Sequence, residues 1–353
     1  MRRHVDAREL ALFLAMCSVL AIAAGVLLQG IALGTAPGAV PRALGAAGRG
    51  AATQTEAGPG TWRAGPPIPT QRSEVAAAVV DGTVYVLGGL ALDGRSLATV
   101  EALPAGAEAW EARAPLPEPR DHLAAAELGG RLYVVGGSPA WFGQQTSATL
   151  WRYDAAGDAW ESLAPLPLGR AAHAAVAIDG KLYVAGGIGP EATRLQVYDP
   201  ATESWSIKSQ MSRPREHLAA AAVGGKLYVV GGRWADAGNL ALLEVYDPLA
   251  DSWQVLPPMP TSRGGLAAAA LDGKLYVTGG EVLDASAVTF PQLEVFDPAT
   301  GSWSAAPPLP SARHGLAAVT RDGELYVLAG GPRAGLTVSG TVEVFNPNPA
   351  PSG

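Results

Sequence analysis

Six tryptophans set the period of this chain. Trp62, Trp110, Trp160, Trp205, Trp253 and Trp303 stand 45–50 residues apart, and each is followed ten residues later by an arginine: Arg72, Arg120, Arg170, Arg215, Arg263 and Arg313. Thirteen residues after each arginine comes a tyrosine: Tyr85, Tyr133, Tyr183, Tyr228, Tyr276 and Tyr326. A glycine pair closes the pattern in the first five units, from Gly88-Gly89 to Gly279-Gly280. The sixth unit has Ala329 in the first glycine slot and Gly330-Gly331 after it. A unit of this size cannot bury an apolar face alone and must stack on its neighbours, as in a solenoid or propeller. The repeat therefore overrides the two domains that 353 residues would otherwise imply.

Within a unit the pattern reads as four strands. An alanine-rich strand such as "AAHAAVAI" runs into an Asp-Gly or Gly-Gly turn, the residues a type I′ hairpin requires. "KLYVAGG" is the second strand, and "LQVYDP", echoed by "LEVYDP" and "LEVFDP", is the third. The fourth begins at the tryptophan and ends in "PLP" or a variant. Alanine suits the first strand if it lies innermost, where converging units leave room only for small side chains.

The glycine doublet, the tyrosine before it and the spaced tryptophan resemble the kelch repeat, over residues 61–347. The resemblance implies an all-β fold: a six-bladed β-propeller with four antiparallel strands per blade. The first tryptophan strand, "TWRAGPPIP", precedes any partner, so it is expected to complete the last blade and close the ring.

Ahead of the repeats, Leu10 to Gly34 carries no charge and follows Arg2, Arg3 and Arg8. A signal-peptide core has about 7–15 apolar residues, whereas a membrane-spanning helix needs about 20. The expectation is a cytoplasmic N-terminus (1–9), a transmembrane signal anchor (10–34), a flexible Ala/Gly/Pro linker (35–60), an extracytoplasmic propeller (61–347) and a short tail (348–353). The alternative is secretion after cleavage of a long signal peptide. Without Arg2, Arg3, Arg8, Asp6 and Glu9, the rest of the chain holds 22 basic and 30 acidic residues, with no basic run to neutralise phosphates. Nucleic acid is therefore excluded as a partner. The only cysteine is Cys17, so the repeats carry no disulfide.

From each third-strand aromatic to the next tryptophan the spacing is seven residues, as from Tyr153 to Trp160, so length varies mainly between the second and third strands. In an antiparallel meander those loops share a face with the connections between blades, where the six arginines sit. That rim is the candidate binding face for a protein, peptide or glycan. Two readings stand for Arg72, Arg120, Arg170, Arg215, Arg263 and Arg313. They bond loop carbonyls in every blade or, as the resemblance implies, they line a mouth that grips acidic groups. His122, His173, His217 and His314 lie beside them at unequal offsets, so no convergent metal-ligand set, and no cofactor, is expected. Trp141, Phe142, Arg233 and Trp234 interrupt the repeat in the long loops and are candidate anchors.

No phosphate-binding loop, zinc-ligand pair at helical spacing or nucleophile elbow is present. The leading expectation is a binding module. The other is a carbohydrate mutarotase or epimerase, since an exported six-bladed kelch chain resembles N-acetylneuraminate epimerase. Glu216, Asp121 and Glu281 are then the candidate proton-transfer groups. Copper-radical oxidase chemistry of the galactose oxidase kind needs a cysteine cross-linked to tyrosine, and the repeats have no cysteine.

Overall fold

Each repeat unit lays down one four-stranded antiparallel sheet, and six sheets form the blades of a propeller. The computed structural model describes residues 58–140 and 145–349. Blade one runs Ala76–Val80, Thr83–Leu87, Val100–Leu103 and Glu111–Arg113 from the axis outward. Blades two to five repeat this order. In blade six, Ala317–Arg321, Glu324–Leu328 and Val342–Asn346 are completed by Thr61–Ala64 from the start of the repeats, with Trp62 opposite Phe345. The expected latch is thus present, and it leaves the last blade with its full set of strands.

The local reasons match the sequence pattern. At Asp179-Gly180, φ is 47° and 75°, the left-handed pair that a type I′ turn demands. Along the inner strand Ala76, Ala78 and Val80 pack with blade two while Ala77 and Val79 pack with blade six, so small side chains let neighbouring sheets approach at the axis. Each tryptophan donates its indole N–H to a carbonyl of the adjacent blade, as Trp205 does to Ala164 at 2.8 Å and Trp253 to Ser209 at 3.0 Å. In every blade but the first, where Leu103 takes the place, its ring tilts onto the third-strand aromatic, as Trp205 does on Tyr198 at 5.2 Å. The fixed seven-residue spacing brings those two rings together.

The glycine doublet is a joint between blades. The N–H of its second glycine donates to the carbonyl of the next blade's arginine, from Gly89 to Arg120 at 2.8 Å round to Gly330 and Arg72 at 3.0 Å. A Cβ on the first glycine would lie only 2.0 Å from Leu218 at Gly186 and 2.6 Å from Leu316 at Gly279. Ala329 takes that slot in blade six, and the residue facing it across the seam is Val75, where blades two and four to six carry leucine and blade three carries His173. The smaller valine makes room for the extra methyl group.

Among the described residues no helix is long and apolar enough to cross a membrane. The segment expected to be an anchor (10–34), the linker up to residue 57, and Trp141 and Phe142 lie outside the described residues.

Candidate functional site

The six arginines do not line a mouth. Arg72, Arg170, Arg215, Arg263 and Arg313 are fully buried and Arg120 nearly so. Four turn into their own blades and pair with a glutamate of the third strand: Arg72 with Glu101 at 2.6 Å, Arg215 with Glu244 at 2.7 Å, Arg263 with Glu294 at 2.9 Å and Arg313 with Glu343 at 2.5 Å. The same guanidinium groups donate to second-strand carbonyls, Arg215 to Val229 and Arg263 to Val277. In blades two and three the glutamate is replaced by Trp151 and Gln196. Arg120 there stacks over the Trp151 ring at 5.0 Å and pairs with Glu118, while Arg170 donates to the Gly169 and Glu191 carbonyls. Their terminal nitrogens are used in bonding loops, strands and carboxylates of the blade. The carbonyl-bonding reading of these residues is the one the geometry follows.

Two residues beyond each arginine the chain does something else. Glu74, His122, Ala172, His217, Gly265 and Gly315 all have left-handed backbones, with φ between 50° and 66°. Each N–H donates to the carbonyl of the equivalent residue in the preceding blade, at 2.7–3.2 Å, and Glu74 closes the circle onto Gly315. The six form a hydrogen-bonded ring around the propeller axis. Ring residues and those that follow them, including Val75, Leu123, His173 and Leu218, line an axial cavity of about 90 Å³. Left-handed φ suits Gly265 and Gly315, but at Glu74, His122 and His217 it costs on the order of 1–3 kcal/mol each. Ala172, at φ 52°, bears the same strain with only a methyl group, and the other three carry the polar side chains.

Around them the sequence-predicted acids and three of the four histidines converge. The Glu74 carboxylate has one oxygen 3.5 Å from His122 Nε2 and 3.8 Å from His217 Nε2 and the other 3.6 Å from His314 Nδ1. The two histidine rings meet edge to face, centroids 4.8 Å apart. Asp121 holds His122 Nδ1, and Glu216 lies against His217 Nδ1. Arg233 bridges Glu216 at 2.8 Å and Glu281 at 2.9 Å, and Glu281 also faces His314 Nδ1 at 3.4 Å. Arg233 and Trp234 belong to a small hairpin, pairing with Asn239 and Gly238, that the repeat pattern did not announce. Asn239 ties it to blade five through the Glu281 carbonyl.

Electrostatics divides the histidines. Burial alone would raise the Glu74 carboxyl, but His122 and His314 outweigh it and hold its pKa well below the usual carboxylate range. Burial opposes charge on His122 and His314 as well, yet Glu74 with Asp121, and Glu74 with Glu281, leave both raised. His217 is pulled well down, first by burial and then by Arg233, so it is neutral at neutral pH. His173, one position further along its loop, stays out of the network. Burial and Arg170 lower its pKa to about 3, and neither ring nitrogen has a hydrogen-bond partner among the described residues.

The unequal offsets that argued against convergence are what produce it. His122 and His217 sit on the ring, and His314 sits one residue earlier, at the position of Asp121 and Glu216 in their blades. Glu74 was not singled out by the sequence. Its signal is the column two residues after the arginines, which holds glutamate, histidine, alanine and glycine while the arginine column itself never varies.

A family model described as the "KLHDC2/KLHL20/DRC7 Kelch-repeats domain" matches residues 61–213 and 172–349. Among solved structures, one titled "Structure of YjhT" superposes with a TM-score of 0.68 at 20% identity, covering 78% of this chain and 95% of its own. No curated protein matches the chain.

Proposed function

The chain belongs to the kelch-repeat family, and from that premise we propose that it is a membrane-tethered, extracytoplasmic binding module. Its ligand is a protein, peptide or glycan, taken at the face that carries the loops between second and third strands. Kelch propellers are in general protein-binding scaffolds, which supports the interaction class. The tether rests on the uncharged run from Leu10 to Gly34 behind three arginines.

One observation carries the choice of face. The blades differ from one another there, and they repeat at the opposite end, where all six turns are Asp-Gly or Gly-Gly. The differing positions include the charged network at the axis and exposed apolar side chains on the surrounding loops, Leu92, Leu283 and Val288. Apolar anchors around a polar centre give a surface both area to bury and groups that choose the partner.

A photo-crosslinking residue at Leu283 is expected to trap a defined partner in intact cells, while one at Asp179, in a turn of the opposite face, traps none. Equal trapping at both positions, or none at Leu283, overturns the choice of face. Cell fractionation checks the tether: a soluble mature protein lacking its first 25–40 residues refutes it.

The paired acids and histidines favour a second reading, a carbohydrate mutarotase or epimerase. Asp121–His122 is the kind of acid–base couple such proton transfers use, and Glu216 lies beside His217. NMR of anomer exchange over a panel of sugars decides it: acceleration that disappears in Glu216→Gln establishes catalysis, and no acceleration removes it.

A further inference from the structure

We propose that Glu74, His122 and His217 form a binding site for a divalent first-row transition metal. The three come from blades one, two and four, and each offers one atom, all lying within 4.8 Å of one another. Bonds of about 2.0–2.2 Å at tetrahedral or octahedral angles set ligand atoms about 3.0–3.5 Å apart. The Glu74 oxygen is already 3.5 and 3.8 Å from the two Nε2 atoms. Small side-chain rotations complete the contraction.

The supporting residues argue for a built site. A metal-binding histidine characteristically gives its other ring N–H to a carboxylate, which fixes the tautomer and aims the free lone pair at the ion. His122 has that partner, the Asp121 carboxylate at its Nδ1, and at His217 the Glu216 carboxylate lies against the ring on the same side. Glu74 has the matching arrangement, one oxygen toward the histidines and the other facing His314. Glu216 is in turn held by Arg233 and Arg233 by Glu281, so the orienting groups are themselves fixed. All three ligands sit on the left-handed ring, where a glycine would be the unstrained choice.

Two imidazoles and one carboxylate are the donor set of Zn²⁺, Fe²⁺, Co²⁺ and Ni²⁺ rather than of Ca²⁺ or Mg²⁺. The other ring positions are Ala172, Gly265 and Gly315, which bring no donor side chain. A Cβ at Gly315 would come within 2.5 Å of the Glu74 carboxylate, so glycine there is what lets the carboxylate lie over the ring. The remaining coordination positions are left to water or to an oxygen atom of a ligand.

The test is a titration of metal-stripped, full-length protein with Zn²⁺ by calorimetry and with Co²⁺ by its visible d–d absorption. One ion per chain is expected, with a melting temperature that rises with ion concentration. His217→Gly and Glu74→Gln are expected to weaken binding at least 100-fold. Asp121→Asn, which touches no ion, weakens it about 10–100-fold. His4→Ala, in the N-terminal segment, leaves it unchanged. His217→Gly keeps the test open to either result because glycine fits the ring backbone, and circular dichroism checks its fold. No binding to the wild type overturns the proposal. So does binding that survives in folded His217→Gly, or that disappears in His4→Ala.

Discussion

The arginine and the ring residue stand two positions apart in the same loop of every blade, and they have opposite fates. The arginine column is uniform, buried and bonded within its own blade. The ring column is uniform only in its backbone, and its side chains are glycine, alanine, glutamate or histidine. Where six blades agree on a side chain, that side chain builds the blade. Where they agree on a conformation and differ in the side chain, the fold has supplied a platform, and chemistry can be placed on it unevenly.

Breaking the arginine column should give the largest effect, and an uneven one. Arg215→Ala leaves the Glu244 carboxylate fully buried without its partner. Removing one member of a buried pair costs about 3–5 kcal/mol. Arg120→Ala strands no buried acid, because Trp151 stands in the glutamate's place and Glu118 is solvent-exposed. Urea denaturation should therefore show Arg215→Ala far below Arg120→Ala. Adding Glu244→Gln should recover part of the loss, since Gln196 already fills that place in blade three. Equal losses at the two arginines would show that the glutamates do not matter.

That pairing explains what was legible in the sequence and what was not. Strand order, blade count and latch follow from spacing read with the kelch resemblance, and the hairpin turns from their Asp-Gly and Gly-Gly pairs, because these are what the repeat repeats. Side-chain direction is not in the spacing. The arginines read equally well as mouth or as brace, although the decisive sign was present: a charged residue inside an apolar third strand, as in "LEVYDP", needs a buried partner. Glu74 was hard to read for a different reason. It meets the histidines only when the ring brings loops of blades one, two, four and six to the axis, a contact between distant parts of the chain.

The fourth histidine sharpens the contrast between ring and interior. His173 follows the ring residue and lines the axial cavity, where it is buried. Its folded pKa of about 3 lies below the free value of 6.5. Between those values the unfolded chain binds a proton that the folded chain refuses. Stability is therefore full above pH 6.5 and falls as the pH drops toward 3. His173→Leu removes this term, so its stability relative to wild type should improve by about 2 kcal/mol between pH 8 and pH 5, at 1.36 kcal/mol per pH unit. Paired denaturation curves at the two pH values measure it. A difference that does not change with pH would mean that His173 is protonated in place.

A smaller effect is expected at the seam where blade six meets blade one. Val75→Leu restores the leucine found across four of the other seams but pushes it against the Ala329 methyl group, for a cost of about 1–2 kcal/mol. Ala329→Gly in the same chain should remove most of that cost. A double-mutant cycle reads the coupling, and additive effects would show that valine and alanine are unrelated choices.

The smallest expected change runs in the opposite direction. His217→Gly relieves a left-handed backbone at φ 50° and takes a neutral, buried imidazole away from Arg233. Glu216 keeps its bond to Arg233 at 2.8 Å, so no acid is stranded. The variant should gain about 1 kcal/mol in the metal-free protein, since strain at such positions is of that order. His122→Gly should show no such gain, because Asp121 would remain buried without its imidazole partner. A residue kept for stability must lose stability when it is removed. A gain at His217 with a loss at His122 would mean that the ring tolerates strain at one position for what the side chain binds, and balances it at the other with a neighbouring carboxylate. Melting curves of the two variants, taken with and without added Zn²⁺, separate these cases: the ion should stabilise the wild type and leave His217→Gly unchanged.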